Sequence, residues 1–305
     1  MRKLIGMTIL LRTQVTYDKQ IITFNMIELH THTTYSDGIL TPQQLVERAA
    51  NAGVKALAIT DHDTLHGWSE AIAAATLYNM EIVPGVELST VYNRRSLHIL
   101  GYYPQRKLIE QPLAERLQGR KRRAEQMIDN LAAMGYPLEL DRKENMALCR
   151  PHIASAMVKA GYVKSSSEAF ECFIGEDCSA YVHYEKFSAQ EGINLIKSCG
   201  GVPVWAHPYL FRGGTVEEVL PVLVEAGLMG IEVVHPHHGN NKVNRLKELC
   251  QQYSLLMTGG TDYHGYDVQH PEKERWQLNQ FNLPLDLLEP LKQAASNEFT
   301  PRARD

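Results

Sequence analysis

Strand-like and helix-like segments alternate along this chain, and ionisable residues keep falling just past the strand ends. Residues 27–29 read as a strand ending at His30. Thr41 and Pro42 then suit the N-cap and first turn of a helix that runs to about Ala52, where Gly53 closes it. Residues 55–60 form a short apolar strand running into Asp61, His62 and Asp63, with a helix over 68–80 behind it. Residues 82–88 are a strand with Glu87 near its end, and 97–102 are another, carrying His98. After residue 186 come a helix (189–198), a strand (202–206) ending at His207-Pro208, a helix to about Ala226, and a strand (229–234) ending at His235-Pro236-His237-His238. A helix (240–251) and a strand (254–257) then lead to Gly259-Gly260-Thr261-Asp262-Tyr263-His264. This alternation predicts an α/β architecture around a mostly parallel sheet. If the sheet closes into a barrel, side chains past the strand C-termini share one rim, the face on which barrels carry chemistry. Seven strand units rather than eight predict an irregular closure.

Residues 105–184 break the alternation. Helices are expected over 115–134, 151–159 and 167–173, which makes the stretch a helical domain inserted between the barrel segments 26–104 and 185–305. The basic run Arg120-Lys121-Arg122-Arg123 reads first as a solvated helix face; its sharper reading is a contact for an RNA backbone. Residues 1–25 contain a short apolar run interrupted by Arg12, too short to span a membrane and followed by no small-residue cleavage pattern. They read as a non-catalytic extension ahead of Met26. A chain of 305 residues, 44% of them hydrophobic, suffices for one large core with a small insert. A net charge of −4 argues against a general polyanion binder, but leaves local recognition of a terminal phosphate open. The five cysteines (Cys149, Cys172, Cys178, Cys199, Cys250) include no CxxC pair and fit a reducing, cytoplasmic compartment, with a Cys172–Cys178 disulfide as the minor alternative.

The ionisable residues matter as a set. His30 and His32, two apart on an extended segment, point the same way and can meet one metal, with Asp37 a few residues on. Taken singly, each site has an ordinary explanation: a strand-end histidine is usually a hydrogen-bonding residue, an Asp after a strand is commonly an N-cap or Asx-turn, and His98 fits a satisfied core histidine. Together, at least five strand ends deliver His, Asp or Glu to one rim, where bare carboxylates would repel each other without cations. Nine candidate ligands are too many for one tetrahedral ion and fit two or three divalent ions.

The motifs HTHTTYSDG (30–38), ITDHDT (59–64), PGVELS (84–89), LHILGY (97–102), AHP (206–208) and GTDYH (260–264) resemble the polymerase and histidinol phosphatase (PHP) family of phosphoesterases. RPHIASAMVKAGY (150–162) further resembles the branch of nucleoside 3′,5′-bisphosphate phosphatases and 5′–3′ exoribonucleases, which carries a helical insertion here. The resemblance implies a distorted (β/α)7, TIM-like barrel and two or three Mn, Fe or Zn ions, Mn foremost. It assigns His30, His32, Glu87 and Asp262 to a first ion, Asp37, His62 and His207 to a second, and Glu87, His98 and His264 to a third. Asp63 would stand behind the ligands, orienting them. Thr261 is a mild departure, because this position often carries Ser in the family.

The resemblance further implies attack on phosphorus by a hydroxide bridging the ions held by Glu87, Asp37 and Asp262. Arg150, whose guanidinium matches phosphate bidentately, is the first candidate for a phosphate contact, with His152 and His238 as weaker ones and His235 and His237 facing solvent. The expected substrate is a phosphorylated nucleoside or short RNA, with no membrane and no obligate protein partner. The alternatives are histidinol-phosphate or other small-molecule hydrolysis, and a non-catalytic metal-binding module. The filled ligand positions argue against the latter. A polymerase-associated editing domain is disfavoured because no polymerase module is attached.

Overall fold

The computed structural model describes residues 26–140, 145–184, 187–265 and 276–298, so the expected extension 1–25 lies outside the described residues. Eight strands form one sheet: β1 (Met26–Glu28), β2 (Val54–Ile59), β3 (Glu81–Tyr92), β4 (Arg95–Tyr102), β5 (Val202–Trp205), β6 (Gly230–Val234), β7 (Leu256–Gly259) and β8 (Leu283–Pro284). Their spatial order is β7-β6-β5-β4-β3-β2-β1-β8. The seven expected strands are present, and the two-residue β8 is added antiparallel to β1. The sheet is a nearly closed barrel with helices around it. Side chains alternate as the pleat requires: Ala56, Ala58, Leu100 and Tyr102 join one apolar cluster, while Leu57, Ile59, Leu97 and Ile99 join the other, against α1 (Pro42–Asn51) and α2 (Gly67–Ala75).

The sheet is less parallel than expected. β4 runs antiparallel to both β3 and β5. Asn93 and Arg94 both have positive φ (47° and 62°), the two-residue turn that suits the twist of a hairpin. That turn extends β3 and β4 well past the 82–88 and 97–102 segments, so the hairpin projects beyond the C-terminal end of β5.

Closure occurs above the sheet. Thr31 bridges Tyr263 in parallel, with the His32 N–H donated to the Tyr263 carbonyl (2.8 Å) and the Tyr263 N–H to the His30 carbonyl (3.1 Å). Gly260 permits the approach, since a Cβ there would lie 2.5 Å from the His30 Cβ.

The stretch from 105 to 184 carries α3 (Arg106–Ala133), α4 (Arg150–Lys159), α5 (Ser166–Ala169) and a π-helical turn at Phe170–Ile174. α3 begins well before residue 115, with Pro112 inside it. Met127, Leu131, Ile153, Met157 and Ile174 pack into an apolar cluster of their own. The basic run is only half a solvated face: Lys121 and Arg122 are exposed. Arg120 and Arg123 are buried, Arg120 against Asp63 (2.5 Å) and Ser89, and Arg123 against the Val182 carbonyl (2.7 Å) with its guanidinium over the Tyr184 ring. Beyond the insertion, α6 (Ala189–Ser198), α7 (Val216–Glu225), α8 (Asn240–Tyr253) and α9 (Leu288–Glu298) complete the outer layer. No helix among the described residues is long and apolar enough to cross a membrane, and all five cysteines are free.

Candidate metal centre

The barrel rim gathers all nine expected ligands. Glu87, near the middle of the long β3, is 1% exposed and faces five imidazoles. Its Oε2 lies 3.4 Å from His30 Nε2, 3.3 Å from His32 Nε2 and 3.1 Å from His62 Nδ1. Its Oε1 lies 2.8 Å from His98 Nδ1 and 3.0 Å from His207 Nε2. Asp262 Oδ1 approaches His30 Nε2 (3.2 Å) and His32 Nε2 (3.1 Å), so His30, His32, Glu87 and Asp262 form one group. His32, Asp37, His62 and His264 form a second, with His264 Nε2 3.3 Å from Asp37 Oδ1. His62, Glu87 and His98 form a third, and His207 approaches the same Glu87 oxygen as His98.

Relative to the expected sets, His207 and His264 exchange places. The barrel closure carries the 262–264 segment against the HTHTTYSDG loop and so beside Asp37, while β5 stands next to β4 and sets His207 beside His98.

Divalent ions fit these residues. His30 Nε2, His32 Nε2, His62 Nδ1, Asp37 Oδ1 and Asp262 Oδ1 are buried and make no hydrogen bond, a costly state for so many converging polar atoms unless something else binds them. Burial would raise the Glu87 pKa, but His98, His62 and His30 hold it well below the ordinary carboxylate range. Asp37 and Asp262 are likewise pushed up by burial and pulled well below the usual value by neighbouring imidazoles. Burial pushes His62 down to about 3, so that ring is neutral and has a lone pair to offer.

The loops are tightly built. Asp61, buried, accepts the Thr33 N–H (2.7 Å), the Thr33 hydroxyl (2.7 Å) and the Ser36 hydroxyl (2.6 Å), fixing the turn that presents Asp37. Asp63 accepts the Ser89 N–H and pairs with Arg116 (3.2 Å) and Arg120, which fastens α3 to the rim behind His62.

Two contributors escape a reading of the sequence. Glu232, buried in β6, meets His30 Nδ1 (2.9 Å) and accepts the His207 N–H (2.7 Å). His235 is 1% exposed rather than solvent-facing, with Nε2 3.6 Å from Asp262 Oδ2. A glutamate inside the apolar run GIEVV was the available signal for Glu232; nothing local distinguished His235 from His237.

Beside His98 and His207 opens a cleft of about 560 Å³, also lined by Ser96, Arg150, Phe170, Phe211 and Arg212. The Arg150 guanidinium lies 5.3 Å from the Phe170 ring centre and 5.5 Å from that of Tyr181. Arg212 was not anticipated. His152 and His238 do not line this cleft. His152 Nδ1 accepts the Cys149 N–H (2.9 Å) at the start of α4, and His238 Nδ1 donates to the Val233 carbonyl (3.0 Å). Burial pushes the His238 pKa down to about 4, leaving it neutral.

A family model described as the PHP domain matches residues 28–150. A 5′-3′ exoribonuclease of Haemophilus influenzae is 32% identical over 78% of this chain and 89% of its own length. A 3′,5′-nucleoside bisphosphate phosphatase of Chromobacterium violaceum is 32% identical over 81% and 91%. A phosphoribosyl 1,2-cyclic phosphate 1,2-diphosphodiesterase of Eggerthella lenta is also 32% identical, over 79% and 95%. A solved structure described as a metal-dependent phosphoesterase, from Bifidobacterium adolescentis, superposes with a TM-score of 0.79 at 30% identity, covering 88% of this chain and 96% of that one.

Proposed function

Because the chain belongs to the PHP family of metal-dependent phosphoesterases, we propose that it acts on nucleoside 3′,5′-bisphosphates and on 5′-phosphorylated ends of short RNA. The observation that carries this reading is the cleft, which runs from the histidine-carboxylate cluster to Arg150 and Arg212. A substrate with two phosphates separated by a sugar can set one against the cluster and the other on a guanidinium. The fork of Arg150 offers paired, charge-assisted hydrogen bonds to the second phosphate. Phe170 and Tyr181 brace that guanidinium from its apolar side and leave its N–H groups to the ligand.

In this reading His30, His32, Glu87 and Asp262 hold one divalent ion, Asp37, His62 and His264 a second, and Glu87, His98 and His207 a third. Manganese is expected, and iron or zinc would suit the same donors. Ions bound there would ease deprotonation of water and offset charge on the phosphate oxygens. Neighbouring imidazoles hold the Glu87, Asp37 and Asp262 carboxyls well below the usual carboxylate range despite their burial. In this reading Glu87, Asp37 and Asp262 would hold the ions that activate the attacking water.

The test is a substrate panel with manganese-loaded protein. We expect kcat/KM to be highest on 3′,5′-bisphosphonucleosides and 5′-phosphorylated RNA. A higher value on histidinol phosphate or on a ribose cyclic phosphate would displace the nucleotide reading while leaving the phosphoesterase. No hydrolysis of any ester by the fully loaded protein would leave a binding module.

A further inference from the structure

β6 is expected to supply no metal ligand, yet its one buried carboxylate touches two imidazole-bearing residues that reach Glu87 from different strands. Glu232 Oε1 lies 2.9 Å from His30 Nδ1, and Glu232 Oε2 lies 2.7 Å from the His207 backbone nitrogen. The two histidines then present Nε2 to the two different oxygens of Glu87, His30 to Oε2 and His207 to Oε1. Their rings stack, with centroids 5.8 Å apart and planes 18° from parallel. One carboxylate therefore holds the His30 ring and the His207 backbone, on either side of the bridging residue.

We propose that Glu232 is the positioning residue that sets metal affinity at this centre, by fixing the tautomer of His30 and the backbone of His207. The argument for His30 is one of proton placement. Nδ1 faces a fully buried carboxylate, with Glu232 Oε1 at 2.9 Å. A carboxylate accepts there, so a proton sits on Nδ1, and Nε2, facing Glu87 and Asp262, is the atom a metal ion would take. Nε2 is among the buried atoms with no hydrogen-bond partner, as a ligand atom in waiting should be.

The argument for His207 is one of backbone strain. Its φ is 32° and its ψ 61°, a left-handed conformation that side chains with a Cβ seldom adopt, and the residue after it is Pro208. Left to itself, this peptide would relax toward the extended region and swing the ring away from Glu87. The short bond from its N–H to Glu232 opposes that relaxation. Glu232 itself has no freedom to follow, being fully buried in the strand between β5 and β7.

β6 reaches a third ligand through His235. Its Nδ1 accepts the His237 N–H (3.2 Å), which turns Nε2 toward Asp262 Oδ2 at 3.6 Å. That nitrogen is buried and makes no hydrogen bond. A strand that supplies no expected ligand thus holds groups at the ends of β1 and β5.

The experiment compares metal binding by the wild-type chain, Glu232→Gln and Glu232→Leu, with manganese affinity read by competition against a chelator and occupancy by metal analysis. Carboxylates behind ligating imidazoles typically govern affinity by roughly 10–100-fold. We expect both variants to bind manganese at least tenfold more weakly, and Glu232→Leu to lose one ion per chain. Gln keeps the side-chain volume and one acceptor oxygen, so it decides the matter if Leu fails to fold. A merely structural role would lower the melting temperature and leave the affinity of the folded fraction unchanged. A Glu232→Gln protein with wild-type affinity and occupancy would overturn the proposal. The nitrogen chemical shifts of the histidine rings provide a second readout: His30 should hold its Nδ1 proton in the wild type and lose that preference in Glu232→Leu. These measurements need no substrate, so their outcome is separate from the fate of the nucleotide reading.

Discussion

Glu87 faces five imidazoles from three different groups, and among the described residues no other side chain at the rim touches so many. Glu87→Ala removes the acceptor from all five at once. We expect the variant to lose at least one ion per chain and more than about 100-fold in turnover, beyond the effect usual for residues behind the ligands. The barrel should survive, because Glu87 packs against polar groups rather than core. Metal analysis and kcat on the same preparation check this, and normal occupancy with normal turnover would refute the assignment. Arg150 lies at the far side of the cleft, where its effect should be confined to substrates with a second phosphate. It is half-buried, so the contact is worth the low end of the range for desolvated charge pairs, about 2 kcal/mol or roughly 30-fold. Arg150→Ala should keep its metals and its rate on an aryl phosphate, and lose that factor in kcat/KM on a 3′,5′-bisphosphonucleoside. Arg150→Lys should recover only part, because a point charge does not reproduce the fork. An unchanged ratio between the two substrates would remove Arg150 from recognition.

Among the elements, α3 ties the insertion to the rim through an ion pair. Arg116 and Arg120, four apart on one face, both meet Asp63, and Arg120 also reaches Ser89 at the end of the same cluster. Breaking a buried pair typically costs about 3–5 kcal/mol. Because Arg116 would remain beside Asp63, Arg120→Ala should cost about 3 kcal/mol, measured by urea unfolding at neutral pH. Burial raises the Asp63 pKa, but Arg120 and then Arg116 pull it below its ordinary value. Its stabilisation is therefore complete above the unfolded pKa of about 3.9 and is lost as pH falls through the lower folded pKa. The gap between wild type and Arg120→Ala should narrow on acidification, and a gap that widened would contradict the pairing. At this scale the sequence was only partly legible. Apolar periodicity marked seven strands and their helices, because each must bury a stripe or a face. It did not reveal that Arg120 and Arg123 are buried, since a basic run looks the same whether its partner is water or an Asp sixty residues away. Nor did it join β3 to β4, because Asn93-Arg94 is an uncommon turn pair in which Arg adopts positive φ without a glycine.

Across the whole molecule, the candidate ligands come from strands and strand ends far apart in sequence, and the barrel brings them together. The motifs singled out these residues, but not which of them stand together. Whether His207 or His264 stands beside Asp37 depends on which strands are neighbours and where the sheet closes, which spacing along the chain does not encode. The closure is short: the described residues join the ends of β1 and β7 through the Thr31–Tyr263 bridge, its two hydrogen bonds and the Thr261 N–H donated to Glu28 Oε1 (2.7 Å). Ions held by His30 and His32 on one side and by Asp262 and His264 on the other would cross-link the same two ends. Such binding stabilises the folded state by about 2.7 kcal/mol when free metal is 100 times its Kd. At roughly 2–4 °C per kcal/mol for a domain of this size class, manganese should raise the melting temperature by about 5–10 °C over chelator-treated protein. The gain should shrink in Asp262→Ala, which removes a carboxylate from the closing segment, and less so in His98→Ala, whose ring sits on the hairpin away from the seam. Equal melting temperatures with and without manganese, under conditions where metal analysis shows the ions bound, would mean that the seam is held by backbone and core packing alone.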